Sequence, residues 1–187
     1  MTAATAVPLL VLASVVAMML AELWLSTTNE RVLLANGAVQ ADDPVFAVMR
    51  IAYPGVFIAM ALEGMITGVE LGIITFTGVA VMFVAKALKF WAIASLGRRW
   101  TYTVLVMPAL PLVTTGPYQW MRHPNYVAVV GELVAMALMT HARVTGPLGT
   151  LFFGWLLWRR ITAEERAMEL YSREEGGSKD PPLRSRV

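Results

Sequence analysis

The 187-residue chain contains no cysteine, which excludes disulfide bonds, metal sites built on thiolates and a cysteine nucleophile. Charged residues are also scarce, at 15% of the chain, whereas a soluble domain carries about a quarter. No Lys or Arg precedes Arg31, so the sequence lacks the charged segment that opens a secretory signal peptide. The pattern also lacks an internal repeat and the basic face that binds nucleic acid. These absences argue against a soluble, disulfide-stabilised or nucleic-acid-binding protein.

Hydrophobic residues make up 57% of the chain and are gathered into blocks. Crossing the hydrocarbon core of a bilayer takes about 17–25 helical residues. We therefore predict an all-α integral membrane protein, a single membrane domain over residues 1–187. Its five transmembrane helices are predicted at Ala6–Leu25, Val45–Leu62, Leu71–Phe90, Pro124–Thr140 and Val144–Trp158.

The positions of the cations predict the orientation of these spans, because cytoplasmic segments are enriched in Lys and Arg. Seven cations follow span five, and five more lie at the end of span three or between spans three and four: Lys86, Lys89, Arg98, Arg99 and Arg122. The loops on the other side hold only Arg143, together with Glu63 and Glu70. The expected topology has the N-terminus outside and the C-terminus in the cytoplasm.

The connecting segments predict further local structure. The stretch "STTNERVLLANGAVQ" begins with a Ser/Thr cluster typical of helix caps, and we expect a short cytoplasmic amphipathic helix that Asn36-Gly37 ends. Asp43 is the expected N-cap of span two, with Pro44 at the first helical position. Gly97 is expected to stop the helix of span three. The apolar, proline-rich link between spans three and four is too long for a simple connection, which is typical of a functional loop.

Polar groups within the predicted spans need a reason, because a charged side chain at the centre of a membrane helix is costly. Glu132 lies in the middle of span four, on one face with Ala128 and Asn125. It is either a buried carboxyl paired with span one or span two, or a residue that lines a cofactor or substrate cavity. Glu22 and Glu63 lie near span ends and are expected at the interface with water.

The sequence "GPYQWMRHPNY" places chemistry at the start of span four. Pro124 suits the first turn of a helix, so Arg122 and His123 are expected beside the helix N-terminus, where free N–H groups favour an anion. Tyr126 lies one turn further into the span. We interpret this cluster as a binding site for a carboxylate or a phosphate.

A second polar cluster, "WRRITAEER", follows span five. Arg160 and Glu164 are four residues apart and are expected to pair on a helix. Thr162 and Glu165 have the spacing of a capping box, which predicts the start of a new helix. Because both clusters lie at the same ends of neighbouring spans, we expect them to converge on one site.

The motifs "LVTTGPYQWMRHPNY" and, some forty residues later, "RITAEER" resemble those of the isoprenylcysteine carboxyl methyltransferase family of integral-membrane enzymes. The resemblance covers roughly residues 86–171. The stretches "NERVLLANGAVQ" and "FWAIASLGRRWT" look more like the bacterial branch, often associated with polyketide-type lipids, than the branch that acts on prenylated proteins. One departure is Ala128, where many relatives have Gly.

The resemblance implies an S-adenosylmethionine site at the cytoplasmic face. The residues carried over as cofactor-binding are Gly116, Tyr118, Arg122, His123, Pro124, Tyr126, Glu164 and Glu165. As catalytic residues we predict Arg160, Glu132 and His123, the last two as bases if the methyl acceptor is a hydroxyl or an amine. In-line methyl transfer needs no metal. Within this scheme, residues 1–90 hold three spans, 91–171 form the cofactor-binding core, and 172–187 form a flexible tail.

The leading hypothesis is therefore a methyltransferase that acts on a carboxylate or hydroxyl of a lipid-tailed acceptor dissolved in the membrane, such as an isoprenylcysteine or a polyketide lipid. Two alternatives stay open. Membrane sterol and enone reductases carry a similar "GPY…RHPNY" region and bind a nicotinamide cofactor, but have more spans. A non-enzymatic transport or assembly protein would distribute its polar residues over the full depth of the bilayer.

Overall fold

Five α-helices and one pair of short strands form the part of the chain that the computed structural model describes, residues 3–41, 43–106 and 113–177. In chain order these are α1 (Ala3–Ala35), β1 (Val39–Gln40), α2 (Pro44–Thr67), α3 (Ile73–Leu96), β2 (Leu105–Val106), α4 (Pro124–Met139) and α5 (Thr145–Gly177), with short 3₁₀ turns at Gly97–Arg99 and Gly116–Gln119. The strands pair in antiparallel register, Val39 opposite Val106 and Gln40 opposite Leu105. The all-α class predicted from the sequence is confirmed.

Three helical stretches of the described chain are long and apolar enough to cross a membrane, namely Thr5–Ala35, Pro44–Thr67 and Ile73–Arg99. The helix α4 is apolar but shorter, with 16 residues, and α5 combines an apolar first half with a polar second half. Predicted spans one to three are therefore matched by helices of sufficient length. Spans four and five, and the orientation of the bundle, stay predictions.

The helix boundaries follow local chemistry that the sequence displays. Asp43 caps α2, since its Oδ1 accepts a hydrogen bond from the backbone N–H of Phe46 at 3.1 Å, and Pro44 occupies the first turn. Gly97 ends α3 at a positive φ of 56°, a conformation that side chains with a Cβ rarely adopt. All three predictions are confirmed.

The predicted short amphipathic helix after span one is wrong, because α1 runs unbroken to Ala35. The hydroxyls of Thr27 and Thr28 donate to the carbonyl of Trp24 within the helix, at 3.0 and 2.8 Å, instead of capping a new one. Asn29 lies on the inner side and donates to the carbonyl of Trp100 at 2.8 Å. This hydrogen bond to the loop after α3 therefore helps to keep the polar stretch helical.

The helix start predicted inside "RITAEER" is also wrong. Thr162 lies within α5 and donates to the carbonyl of Trp158 at 3.0 Å, so its hydroxyl bonds backward within the helix and does not cap. The same helix continues to Gly177, so the first part of the predicted tail is helical; residues 178–187 lie outside the described residues. One continuous helix thus carries both the segment predicted as span five and the second polar cluster.

The helix α3 packs closely against α4, so the end of α3 lies beside the beginning of α4. A Cβ on Gly78 would lie 2.7 Å from Cγ of Met139, and one on Gly131 would lie 3.0 Å from Cβ of Ala85. Small residues at such crossings let membrane helices approach closely. The hydrophobic core lies beside this crossing, between α2, α4 and α5, around Phe57, Met60, Leu133, Met136, Phe153, Leu156 and Leu157.

A cluster of four buried charges links α1, α3 and α4. Lys86 Nζ lies 2.9 Å from Glu22 Oε1 and 3.1 Å from Glu132 Oε1. Lys89 Nζ lies 2.7 Å from Glu22 Oε2 and 3.2 Å from Glu132 Oε1. The hydroxyls of Tyr53, from α2, and Tyr102 donate to Glu132 and Glu22 respectively. We call these four charged residues the ion cluster; its formal charges cancel.

The ion cluster corrects two expectations. The sequence pattern places Lys86 and Lys89 among the cytoplasmic cations, but in the structure they point inward, and the side chain of Lys89 is 1% exposed. Glu22 was expected at the interface with water, but it is buried between these lysines. For Glu132 the structure gives the paired carboxyl, with its ionic partners on span three and a hydroxyl partner on span two.

Glu63, also expected at the interface, joins two helices. Its carboxylate accepts hydrogen bonds from the backbone N–H groups of Val144 and Thr145, at 2.9 and 2.7 Å, at the start of α5. Glu63, near the C-terminal end of α2, therefore caps α5, whereas Asp43 caps the N-terminal end of α2 itself.

Neutrality of the ion cluster leads to a test of stability. Replacing Lys89 by Met leaves one lysine to neutralise two buried carboxylates, and we expect the free energy of unfolding to fall by about 3–5 kcal/mol. The measurement is unfolding in mixed micelles at increasing SDS, followed by tryptophan fluorescence.

The double variant Lys89→Met/Glu132→Gln restores a net charge of zero, so it is expected to be more stable than Lys89→Met alone. Arg50→Met is the control, since Arg50 is exposed and its guanidinium lies 5.9 Å from the ring centroid of Phe46. Wild-type stability for Lys89→Met would contradict the assignment of the cluster.

Candidate functional site

The two polar clusters predicted from the sequence meet where α3 ends and α4 begins. The turn at Gly116 sets the approach to α4. Gly116 has a positive φ of 62°, and a Cβ there would collide with the hydroxyl of Ser95 on α3. Only glycine fits this contact, so the residue predicted to shape the loop does so by packing the loop against α3.

The beginning of α4 carries the Arg-His-Pro-x-Tyr residues. Pro124 is buried in the first helical turn and His123 is the N-cap, with φ −126° and ψ 59°. The rings of His123 and Tyr126 stack, with centroids 5.5 Å apart and an angle of 15° between their planes. Pro124 thus begins the helix. Because His123 and Tyr126 are three residues apart, one helical turn brings the imidazole and the phenol together.

Glu164 of α5 is the centre of the site. The hydroxyl of Tyr126 donates to Glu164 Oε1, and Arg160 Nε donates to the same oxygen at 3.1 Å. His123 Nδ1 lies 3.9 Å from Glu164 Oε2. The predicted pairing of Arg160 with Glu164 is confirmed, and Oε1 of the carboxylate accepts two hydrogen bonds.

Glu165 and Arg122 form the outer edge. Glu165 Oε1 lies 3.4 Å from Arg122 Nη1 and 3.7 Å from His123 Nε2. The side chains of Arg122 and Glu165 are 86% and 42% exposed, against 16% for Glu164. The N-terminus of α4, predicted to attract an anion, therefore faces carboxylates of the protein itself, one enclosed and one open to solvent.

Tyr118 stands in the 3₁₀ turn before α4. Burial, and secondarily the negative charge of Glu164, raise the pKa of Tyr118 to about 12. The phenol is therefore neutral at physiological pH and keeps its hydroxyl hydrogen as a donor.

Two residues of the site were not predicted to belong to it. Asp43, known from the sequence only as a helix cap, places its Oδ2 3.3 Å from Arg160 Nε. Tyr102 accepts a hydrogen bond from Arg160 Nη2 on its backbone carbonyl. The Asp-Pro pair signals a cap but not a partner for Arg160, and nothing in the sequence distinguishes Tyr102 from other loop residues.

Tyr102 joins this site to the ion cluster. Its backbone N–H donates to Ser26 Oγ at 2.7 Å, and its hydroxyl donates to Glu22 Oε2 at 3.0 Å. Burial, and then the charge of Glu22, raise the pKa of Tyr102, so the hydroxyl keeps its proton. One loop residue is thus held from α1 while its carbonyl orients Arg160.

Glu132, the third residue predicted as catalytic, is not part of this group. It lies nine residues after His123 on α4, about 13 Å along the helix axis, and its contacts are those of the ion cluster. Of the predicted site residues, the structure brings together His123, Tyr126, Arg160, Glu164 and Glu165, with Gly116, Tyr118, Arg122 and Pro124 around them.

Several buried polar atoms around the site make no hydrogen bond. They include Nε2 of His123 and Oδ1 of Asn125, both at the start of α4. Buried polar atoms in folded proteins are normally paired, so these two atoms are candidates for contact with a polar ligand.

Comparison with known proteins identifies a family. The profile of the isoprenylcysteine carboxyl methyltransferase (ICMT) family matches residues 73–170, which contain every predicted site residue. The uncharacterized protein YpbQ of Bacillus subtilis is 32% identical over 171 residues, covering 87% of this chain and 97% of its own length. An uncharacterized protein of Haemophilus influenzae is 27% identical over 157 residues, covering 83% of this chain and 91% of its own.

A more distant relative has a named activity. The probable protein-S-isoprenylcysteine O-methyltransferase of Oryza sativa subsp. indica is 28% identical over 102 residues, which cover 51% of this chain and 51% of the rice protein. No solved structure matches the chain. Since the family profile spans more than half of the sequence and its residues form the site described above, the chain belongs to the isoprenylcysteine carboxyl methyltransferase family.

Proposed function

We propose that the protein transfers a methyl group from S-adenosylmethionine to a lipid-tailed acceptor dissolved in the membrane. The observation that carries this proposal is the convergence of the α4 N-terminus and α5 on Glu164, where His123, Tyr126 and Arg160 meet in one polar group. Such a polar group beside apolar helices suits the joining of a polar cofactor with a lipophilic acceptor.

The charges at the site support this cofactor over a nicotinamide. Three carboxylates, from Asp43, Glu164 and Glu165, face two guanidinium groups, from Arg122 and Arg160. Counted over these carboxylates and guanidinium groups, the group carries one excess negative charge. S-adenosylmethionine bears a sulfonium, an ammonium and one carboxylate, so its net positive charge is complementary. The pyrophosphate of a dinucleotide would add negative charge.

The residues present fit the cofactor in specific ways. Glu165 is the more exposed carboxylate, so it is available to accept hydrogen bonds from an ammonium or from ribose hydroxyls. Arg122, whose side chain is 86% exposed, suits the cofactor's carboxylate. The unpaired His123 Nε2 and Asn125 Oδ1 provide further polar contacts.

The site's own residues would orient the reactants. When bound, the cofactor supplies an electrophilic methyl group on its sulfonium. Glu164 is held by Tyr126 and Arg160, so it fixes the distance between α4 and α5. Tyr118 stays neutral and can donate a hydrogen bond. Exclusion of water and fixed geometry are the main contributions a protein makes to such an in-line transfer.

The first test is a calorimetric titration of purified, folded protein with S-adenosylhomocysteine, and with NADPH in parallel. We expect saturable micromolar binding of S-adenosylhomocysteine and none of NADPH, because the excess negative charge disfavours a polyanion. Binding of NADPH alone would replace the proposal with a reductase, and binding of neither would remove the enzymatic interpretation.

The second test separates ligand binding from stability at the paired glutamates. Glu165→Gln is expected to weaken S-adenosylhomocysteine binding by about 10-fold to 100-fold, the loss of one hydrogen bond to a charged group, with thermal unfolding near that of wild type. Glu164→Gln is expected to lower the unfolding temperature as well, since it loses a charge held between α4 and α5.

Glu70→Gln is the matched control for this pair. Glu70 is exposed and precedes α3, at the far end of that helix from the site. Both its binding and its unfolding should equal those of wild type. Unchanged affinity in Glu165→Gln would remove Glu165 from the cofactor site.

A further inference from the structure

One face of α1 carries three buried polar side chains that the proposed function does not use. Glu22, Ser26 and Asn29 are four and three residues apart, so they lie on the same side of the helix. Their exposed fractions are 4%, 1% and 6%. A buried polar group is costly unless it is hydrogen-bonded, so the partners of these side chains are informative. We call the three residues the polar face of α1; they precede the stretch matched by the family profile.

All three side chains bond to the loop that follows α3. Asn29 Nδ2 donates to the carbonyl of Trp100 at 2.8 Å. Ser26 Oγ accepts a hydrogen bond from the backbone N–H of Tyr102 at 2.7 Å, and Glu22 Oε2 accepts one from the hydroxyl of Tyr102 at 3.0 Å. The rings of Trp100 and Tyr102 also pack together, with centroids 5.2 Å apart. The polar face of α1 therefore fixes the backbone of Tyr102 as well as its side chain.

The carbonyl of Tyr102 accepts a hydrogen bond from Nη2 of Arg160. A guanidinium is rigid and planar, so a fixed partner at one nitrogen limits where the other nitrogens point. Nε of the same group has two carboxylates within reach, Glu164 Oε1 at 3.1 Å and Asp43 Oδ2 at 3.3 Å, and it donates to Glu164. Because these two distances are similar, the contact at Nη2 helps to decide which carboxylate Nε bonds.

We propose that Tyr102 is a positioning residue for Arg160 and that the polar face of α1 holds it in place. The carbonyl of Tyr102 keeps the guanidinium directed at Glu164 and not at Asp43. The inference rests on the proposed function and deepens it, because it adds to the site a set of residues from α1 that act on it through one loop residue.

This positioning has a consequence for cofactor binding. Under the proposed function, the cofactor bridges α5 and the beginning of α4, where Glu165 and Arg122 lie. The hydrogen bond from the hydroxyl of Tyr126 to Glu164 joins the same two helices. A guanidinium that turns away from Glu164 loosens this junction, and a less preorganised site binds its ligand more weakly. The polar face of α1 is thus expected to affect cofactor binding through Tyr102.

The main variant is Ser26→Ala, which removes the acceptor for the backbone N–H of Tyr102. The direct readout is the Nε–H signal of Arg160 in a proton–nitrogen NMR spectrum of isotope-labelled protein in micelles, assigned by its loss in Arg160→Lys. In wild type we expect this hydrogen to exchange slowly with solvent, because it is bonded to an enclosed carboxylate. Ser26→Ala is expected to change the chemical shift of the signal and to speed its exchange about tenfold, the effect of one lost hydrogen bond.

Tyr102→Phe provides a second arm if Ser26→Ala does not fold. It removes only the hydroxyl, and Glu22 Oε2 keeps the contact with Lys89 Nζ at 2.7 Å. The Arg160 signal is expected to change in the same direction as in Ser26→Ala.

Thr75→Val is the matched control. Thr75 also has a buried hydroxyl, at 4% exposure, but it donates to the carbonyl of Glu70 at the other end of α3. We expect Thr75→Val and Ser26→Ala to lower the unfolding temperature by similar amounts, about 2–4 °C, since each loses one buried hydrogen bond. Only Ser26→Ala is expected to alter the Arg160 signal. A purely structural role for Ser26 predicts the same drop in unfolding temperature and an unchanged signal.

S-adenosylhomocysteine is titrated calorimetrically into the same preparations. Ser26→Ala is expected to weaken its binding about threefold to tenfold, whereas Thr75→Val keeps the wild-type affinity. An unchanged Arg160 signal in whichever of the two loop-contact variants folds would overturn the inference, and so would an equal change in Thr75→Val. Wild-type affinity in Ser26→Ala would contradict the effect on the cofactor site. Failure of wild type to bind this ligand defeats the proposed function, while the NMR comparison still decides whether Tyr102 positions Arg160.

Discussion

The packing of the helices is governed by the ion cluster. Two lysines of α3 each contact one glutamate of α1 and one of α4. The four Nζ–Oε distances are 3.2 Å or less, and the side chains are at most 7% exposed. In an apolar interior an unpaired charge costs several kcal/mol, so these helices are stable only in the arrangement that keeps all four charges together. The cluster therefore determines the relative position of α1, α3 and α4, and through Tyr53 that of α2.

A loop residue, Tyr102, connects the candidate site to this cluster. Tyr102 is fixed by Ser26 and Glu22 of α1, and its carbonyl receives a hydrogen bond from Arg160. The position of Arg160 in turn determines that of Glu164. Residues of the N-terminal half, which lie outside the stretch matched by the family profile, thus orient the side chains that the family motifs supply.

The near balance of charges at the site explains how a polar group can lie beside apolar helices. The carboxylates and guanidinium groups of the site neutralise one another almost completely, which lowers the cost of placing them beside apolar helices. The more exposed pair, Arg122 and Glu165, lies toward solvent, while Asp43 and Glu164 are enclosed. The proposed function would use this difference in exposure, since its soluble cofactor favours water and its lipophilic acceptor favours apolar surroundings.

The helical membrane-type fold, the caps at Asp43 and Gly97 and the pairing of the two motifs could be predicted from the sequence, because hydrophobic length, cap chemistry and residue spacing act locally. The packing of distant helices was needed to show that Lys86 and Lys89 face inward, that Thr162 continues a helix, and that Asp43 and Tyr102 contact Arg160. A charge is identical in the sequence whether it faces water or a buried partner. Its direction depends on helices distant in the chain, whose carboxylates reach it only after packing.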